Sequence, residues 1–166
     1  MKKYTLLLAI CLSACLFIYV FYRTEKTVVN YIATALLSKA GYTGVKEIIT
    51  SVLPLSDLII YSLPEGLWVF CITITSSFFY IEVRDRKLSL TLVPMLLAIL
   101  MEVSQLSGIT NGRFDVIDIL FSAVFWMLGL FITKNIPDKE PVFQFNARAV
   151  FCASNYAIVY MAHVIY

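Results

Sequence analysis

Apolar and polar positions in this chain fall into long blocks. Tyr4 to Tyr22 is a run of 19 uncharged residues, Leu88 to Met101 one of 14, and Ile119 to Thr133 one of 15. A helix needs about 20 such residues to cross a hydrocarbon core of roughly 30 Å, and each run approaches that length once its flanks are added. The pattern predicts an all-α membrane protein in one domain, with about five transmembrane helices at residues 4–22, 66–83, 88–107, 115–133 and 149–166. Between the first two, residues 24–63 carry scattered charges but keep helical spacing. Val29, Ile32, Ala33, Leu36, Leu37 and Ala40 repeat at that spacing, as do Val45, Ile48, Ile49, Val52 and Leu53. This predicts one or two helices lying in the interface, divided at Gly41-Tyr42-Thr43-Gly44 and ended by Pro54.

The polar breaks refine the outline. Pro64 falls near the expected first turn of the second span, where a helix tolerates it. Pro94 falls inside the third and predicts a kink. Residues 134–148, with Pro137 and Pro141, read as a short polar loop. Arg84-Asp85-Arg86-Lys87 separates spans two and three and should face the cytoplasm. With the N-terminus inside, Lys2, Lys3, Arg84, Arg86, Lys87, Lys134, Lys139 and Arg148 lie on the inner side. Arg23, Lys26, Lys39, Lys46 and Arg113 lie outside. This distribution places the N-terminus in the cytoplasm and the C-terminus outside.

Composition strengthens the membrane reading, with 60% of the 166 residues hydrophobic and only 14% charged. A net charge of +2 with no basic stripe argues against nucleic acid as a partner. Cys11, Cys15, Cys71 and Cys152 all sit in apolar runs without metal-ligand spacing, and read as small buried hydrophobes. Leu12-Ser13-Ala14-Cys15 matches a bacterial lipoprotein cleavage box. The apolar run continues past it to Tyr22, which favours an uncut anchor.

The candidate chemistry lies between the third and fourth spans. Glu102, Gln105, Arg113, Asp115 and Asp118 cluster around an expected turn at Asn111-Gly112. At about 1.5 Å per residue, Glu102 and Asp118 stand roughly 21 and 22 Å from the opposite face, at one depth. Gln105 and Asp115 lie one turn nearer the loop, and Arg113 would cap the set. An acid in hydrocarbon costs about 2.5 to 3.5 kcal/mol on insertion scales, so these should face one another, an ion or a wet cavity. Glu65 and His163 reach the same outer level. Paired carboxylates suit acid–base work, with Glu102 or Asp118 as the catalytic group. Glu102, Asp115 and Asp118 would instead suit a hard divalent cation such as magnesium, calcium or manganese. Arg113 suits a lipid phosphate. The same residues would also serve as interhelical hydrogen bonding alone.

Glu102-x-x-Gln105 followed by Gly112-Arg113-Phe114-Asp115-x-x-Asp118 on a transmembrane hairpin resembles the VanZ-like family of small bacterial membrane proteins. The likeness covers roughly residues 88–132, with a looser one at 62–68. It implies a multi-pass protein of the bacterial plasma membrane, and the family takes its name from a protein linked to teicoplanin resistance. Three functions stay open. The outer-leaflet site binds a lipid or lipid-linked envelope headgroup; or it is a membrane-embedded hydrolase or transferase acting on such a lipid; or the hairpin packs against a protein partner as a structural or assembly subunit.

Overall fold

The computed structural model describes residues 2–23, 28–84, 86–109, 113–136, 139–144 and 146–161. In chain order these form α1 (Lys2–Phe21), α2 (Val28–Leu37), α3 (Lys39–Val52), α4 (Asp57–Ser76), β1 (Phe79–Val83) and β2 (Arg86–Ser89). A 3₁₀ turn at Leu90–Leu92 leads into α5 (Val93–Leu106), and α6 (Val116–Thr133), β3 (Glu140–Pro141) and α7 (Ala147–Met161) follow. The chain is mostly helical. Three helices are long and apolar enough to cross a membrane, Lys3–Phe21, Asp57–Ser76 and Val116–Thr133, and a shorter apolar helix runs over Leu90–Leu106. That is compatible with a membrane location.

The centre of the bundle is α4, which touches α1, α5, α6 and α7. Leu8 and Cys11 of α1 pack on Phe70, Cys71 and Ile74. Ala98 of α5 packs on Trp68, Val69 and Ile72. Phe78, Phe79 and Cys152 close the far end. All four cysteines are buried free thiols. The outer surface is the apolar one: Leu6, Ile10, Leu96, Leu100, Val124, Met127 and Phe131 are all exposed. Conversely the buried face of α4 carries Thr73, Thr75, Ser76 and Ser77. Their hydroxyls are satisfied locally: Thr73 donates to the Val69 carbonyl at 2.7 Å and Ser77 to that of Thr73 at 2.8 Å. Ser77 also meets the Thr133 hydroxyl at 2.9 Å, tying α4 to α6. Apolar outside and hydroxyl-lined inside is the distribution expected when the solvent around the helices is lipid.

Several sequence expectations are corrected. The chain is not all-α, because residues expected to end the second span and begin the third form a hairpin. Tyr80 pairs with Ser89 and Val83 with Arg86, antiparallel, across a two-residue turn. Arg84 has φ 49°, the left-handed conformation that such a turn requires. A two-residue strand from the expected 134–148 loop, β3, adds in parallel, with Phe79 beside Glu140. The second span therefore shifts from 66–83 to Asp57–Ser76. Pro64 lies well inside it, and Pro94 sits at the start of α5 rather than at a mid-span kink. The interfacial segment divides at Ser38, with φ 61°, and its hydroxyl accepts from the Gly41 N–H at 3.4 Å. Gly41 to Gly44 lie inside α3. Where a fifth span is expected stands α7, of 15 residues, which is not among the helices long and apolar enough to cross a membrane; Asn111-Gly112 and His163 lie outside the described residues.

Two polar ends result. Tyr4 of α1 packs edge-on against Phe78 with ring centroids 6.0 Å apart, so the start of α1 lies at the sheet end. At the other end Tyr22 donates to the Leu53 carbonyl at 2.6 Å, and Lys46 to that of Arg23 at 3.1 Å. These bonds fasten the α2–α3 pair to the end of α1.

Close contact between α4 and α6 uses two glycines. A Cβ at Gly129 would lie 2.9 Å from Thr73 Cγ2, whereas one at Gly44 in α3 would meet nothing within 4 Å. The same substitution should therefore act with opposite sign. Gly129→Ala lowers stability by about 1 to 3 kcal/mol through overpacking. Gly44→Ala raises it by about 0.5 to 1 kcal/mol through helix propensity. Thermal unfolding in detergent micelles measures both, and equal effects would contradict the packing described.

Candidate functional site

The site is built on the N-terminus of α6. The first N–H groups of a helix have no partner within it, and the end carries a partial positive charge. Asp115 is the N-cap residue, and its Oδ1 accepts the Ile117 N–H at 2.8 Å. Three positions on stands Asp118. In a capping box that third carboxylate would reach back to the N–H of the capping residue. Here Glu102, arriving on α5, has taken that bond: the Asp115 N–H donates to Glu102 Oε2 at 3.0 Å. Glu102 is buried at 6% exposure. Asp118 is thereby left without its local role, and its Oδ1 is buried with no hydrogen-bond partner among the described residues.

The end of α5 is shaped for this. Gly108, at φ 68°, follows the helix, and the Gly108 and Ile109 N–H groups donate to the Gln105 and Ser104 carbonyls at 3.1 and 2.9 Å. This closes the helix with a Schellman turn four residues after Glu102's turn ends in Gln105.

Glu65 on α4 forms the third wall, within electrostatic reach of both Asp118 and Glu102. Its Oε1 pairs with Arg23 Nη2 at 3.3 Å, and its Oε2 accepts the Trp68 indole N–H. Arg23 follows the end of α1. It also donates to the Tyr61 carbonyl at 3.3 Å, and its guanidinium lies over the rings of Tyr19 and Tyr61 at 5.0 and 5.2 Å. One donor remains, since Arg23 Nε is buried and unpartnered among the described residues. Among the described residues the cluster thus holds one buried donor, Arg23 Nε, and one buried acceptor, Asp118 Oδ1, without a partner.

Set beside the sequence expectations, Glu65, Glu102, Asp115 and Asp118 come together. Arg113 does not cap them: it is exposed, and among the described residues it forms no ion pair. The cation in the cluster is Arg23, which sequence reasoning had assigned only to the connection after span one. The Gln105 side chain makes no hydrogen bond among the described residues, and His163 lies outside them. For a metal, Glu102, Asp115 and Asp118 were the candidate ligands. Among the described residues no group of three or more His, Cys, Asp or Glu is placed to hold one. Glu102 Oε2 and Asp115 Oδ1 instead accept N–H bonds at the helix end.

The Arg23–Glu65 pair is partly buried, with side chains 21% and 18% exposed, so removing one partner strands the other. A double-mutant cycle with Arg23→Met and Glu65→Gln should show a coupling of about 1 kcal/mol or more. Thermal unfolding in micelles reads it, and additive losses would mean that the bridge is not formed.

Compared with known protein families, with curated proteins and with solved structures, the chain matches none.

Proposed function

We propose that this chain is a five-span protein of VanZ-like type in the bacterial plasma membrane, whose acidic site at the outer leaflet binds the headgroup of a lipid or lipid-linked envelope precursor. The observation that carries the reading is Asp118. A carboxylate oxygen buried without a partner is costly, by about 1 to 3 kcal/mol or more for a charged group, and a ligand that donates to it recovers that cost. Arg23 Nε adds a donor in the same cluster. A headgroup with a phosphate oxygen for Arg23 and a hydroxyl or ammonium for Asp118 would satisfy both.

Other features agree with this. Arg84, Arg86, Lys87, Lys134, Lys139 and Arg148 gather at the sheet end and Glu65, Glu102, Asp115 and Asp118 lie at the opposite one, a distribution that supports an outer-leaflet site by the positive-inside rule. In this reading the apolar helix over Leu90–Leu106 and α7 would be the fourth and fifth crossings beside the three helices long and apolar enough to span. Exposed Ile32, Leu36, Ile48 and Val52 on α2 and α3 suit a pair lying in the headgroup region next to the site. The motif from Glu102 to Asp118 is the residue-level support for the VanZ-like assignment, and glycopeptide susceptibility is the phenotype that assignment suggests.

A second reading has an observation of its own. The Glu102 bond to the Asp115 N–H and the Arg23–Glu65 bridge both hold helices together, so the acids could serve as structural clamps. The two readings separate at Asp118, which makes no such bond.

Asp118→Asn should therefore reduce the lipid retained by the purified protein roughly ten- to hundredfold, read by native mass spectrometry, while leaving the thermal midpoint unchanged. Glu102→Ala should cost about 1 kcal/mol of stability through loss of the cap. Lowered stability in Asp118→Asn with identical lipid content would favour the clamp and sink the headgroup reading.

A further inference from the structure

At the opposite end of the bundle the β-hairpin and β3 enclose a shallow cleft of about 280 Å³, lined by Tyr80, Lys87, Ser89 and Lys139. Tyr80 and Ser89 are directly paired across β1 and β2, and so share one face of the sheet. Lys139, just before β3, reaches the same face and donates to Ser89 Oγ at 3.0 Å. Lys87 Nζ lies 4.9 Å from the centre of the Tyr80 ring. Both ammonium groups are therefore positioned by neutral neighbours.

Neither lysine forms an ion pair among the described residues. Glu140, the carboxylate of the adjoining strand, is already held by Arg148 at 2.6 Å and Asn146 at 2.7 Å. Glu82 is paired in register with Lys87, but no salt bridge joins them. The hydroxyls complete the arrangement. Ser89 Oγ accepts from Lys139 and from Thr91 Oγ1, at 3.0 and 3.1 Å, which uses its lone pairs and leaves its own O–H to donate. Two ammonium groups, a serine O–H and a tyrosine thus line one cleft, and among the described residues Glu82, on the same face opposite Lys87, is the nearby carboxylate in register and is not bonded to either lysine.

We infer that this cleft binds a phosphate-bearing anion, with Lys87 and Lys139 gripping its oxygens and Ser89 donating the third bond. Compact ammonium charges are suited to phosphate as point donors. The source favoured by position is an anionic lipid. The cleft lies where α1, α4 and α6 begin or end, at the level of lipid headgroups, and Arg84 and Arg86 at the hairpin tip extend the same charge. The site is separate from the acidic cluster, and neither depends on the other.

The test uses the full chain in neutral detergent, titrated separately with phosphatidylglycerol and with inorganic phosphate. Binding is read by native mass spectrometry for the wild type and for Lys87→Gln/Lys139→Gln. Both lysines are exposed, so the fold should survive. The double variant should bind phosphatidylglycerol roughly 30-fold more weakly, while Arg84→Gln/Arg86→Gln changes it much less. Discrimination by inorganic phosphate alone would keep the site and assign it to a free anion. A second readout needs no variant: bound ligand should protect Lys87 and Lys139 of the wild type from acylation, mapped by peptide mass spectrometry. Equal binding by wild type and double variant, or acylation of both lysines unaffected by either ligand, would overturn the inference.

Discussion

The close approach of α4 to α6 is the contact on which the remaining geometry depends. In lipid, apolar side chains gain little by turning inward, so helices associate through shape and a few polar bonds. Here the shape comes from glycine. Gly66 lets the Phe125 ring sit where a Cβ would be, and Gly129 does the same for Thr73. The two helices run parallel, and the Ser77–Thr133 hydroxyl pair fixes their far ends. Gly66 is the immediate neighbour of Glu65, so the contact that packs the bundle also sets Glu65 beside the start of α6. A helix pair held further apart would leave that carboxylate too distant to feel Asp118.

Given that placement, the number of acids has a physical account. The N-terminus of α6 favours negative charge, and one carboxylate at the cap with one reaching back would satisfy it. Asp115 and Glu102 fill those two roles from different helices. Asp118 and Glu65 exceed what the helix end needs. Glu65 is balanced by Arg23, held between two tyrosine rings, while Asp118 is balanced by nothing among the described residues.

Much of this was legible in the sequence, and the failures have definite causes. That Glu102 meets the start of α6 followed from two helical runs of nearly equal length joined by a short connection, and it needed no tertiary knowledge. The partner of Glu65 did not follow, because Arg23 is brought to it by the packing of α1 on α4, which no local pattern encodes. Arg113 was the nearer cation in sequence and the wrong one in space. The strands were hidden because Phe79-Tyr80-Ile81 continues the apolar run of α4, and a short apolar segment does not distinguish strand from helix. The alternation of Ile81, Glu82 and Val83 ahead of Arg84-Asp85 was the available signal. The end of α5 at Leu106 agrees with the expected boundary at 107, and Gly108 marks it, since a helix terminates where a residue can take the left-handed conformation.

The two ends also bear on orientation in a way that counting alone does not. Charges on short connections near helix ends carry most weight in setting topology, and those in long loops carry little. Arg84, Arg86 and Lys87 sit on a two-strand hairpin between α4 and α5, and Lys134 directly follows α6. At the opposite end Arg23 pairs with Glu65, while Lys46 donates to the neutral Arg23 carbonyl. The inner cations at Lys87 and Lys139 meet only neutral partners among the described residues and keep their charge for the surface. Arg148 at the sheet end is likewise paired with Glu140, so among the described residues each end gives up one cation to an ion pair and the balance of eight against five keeps its sense.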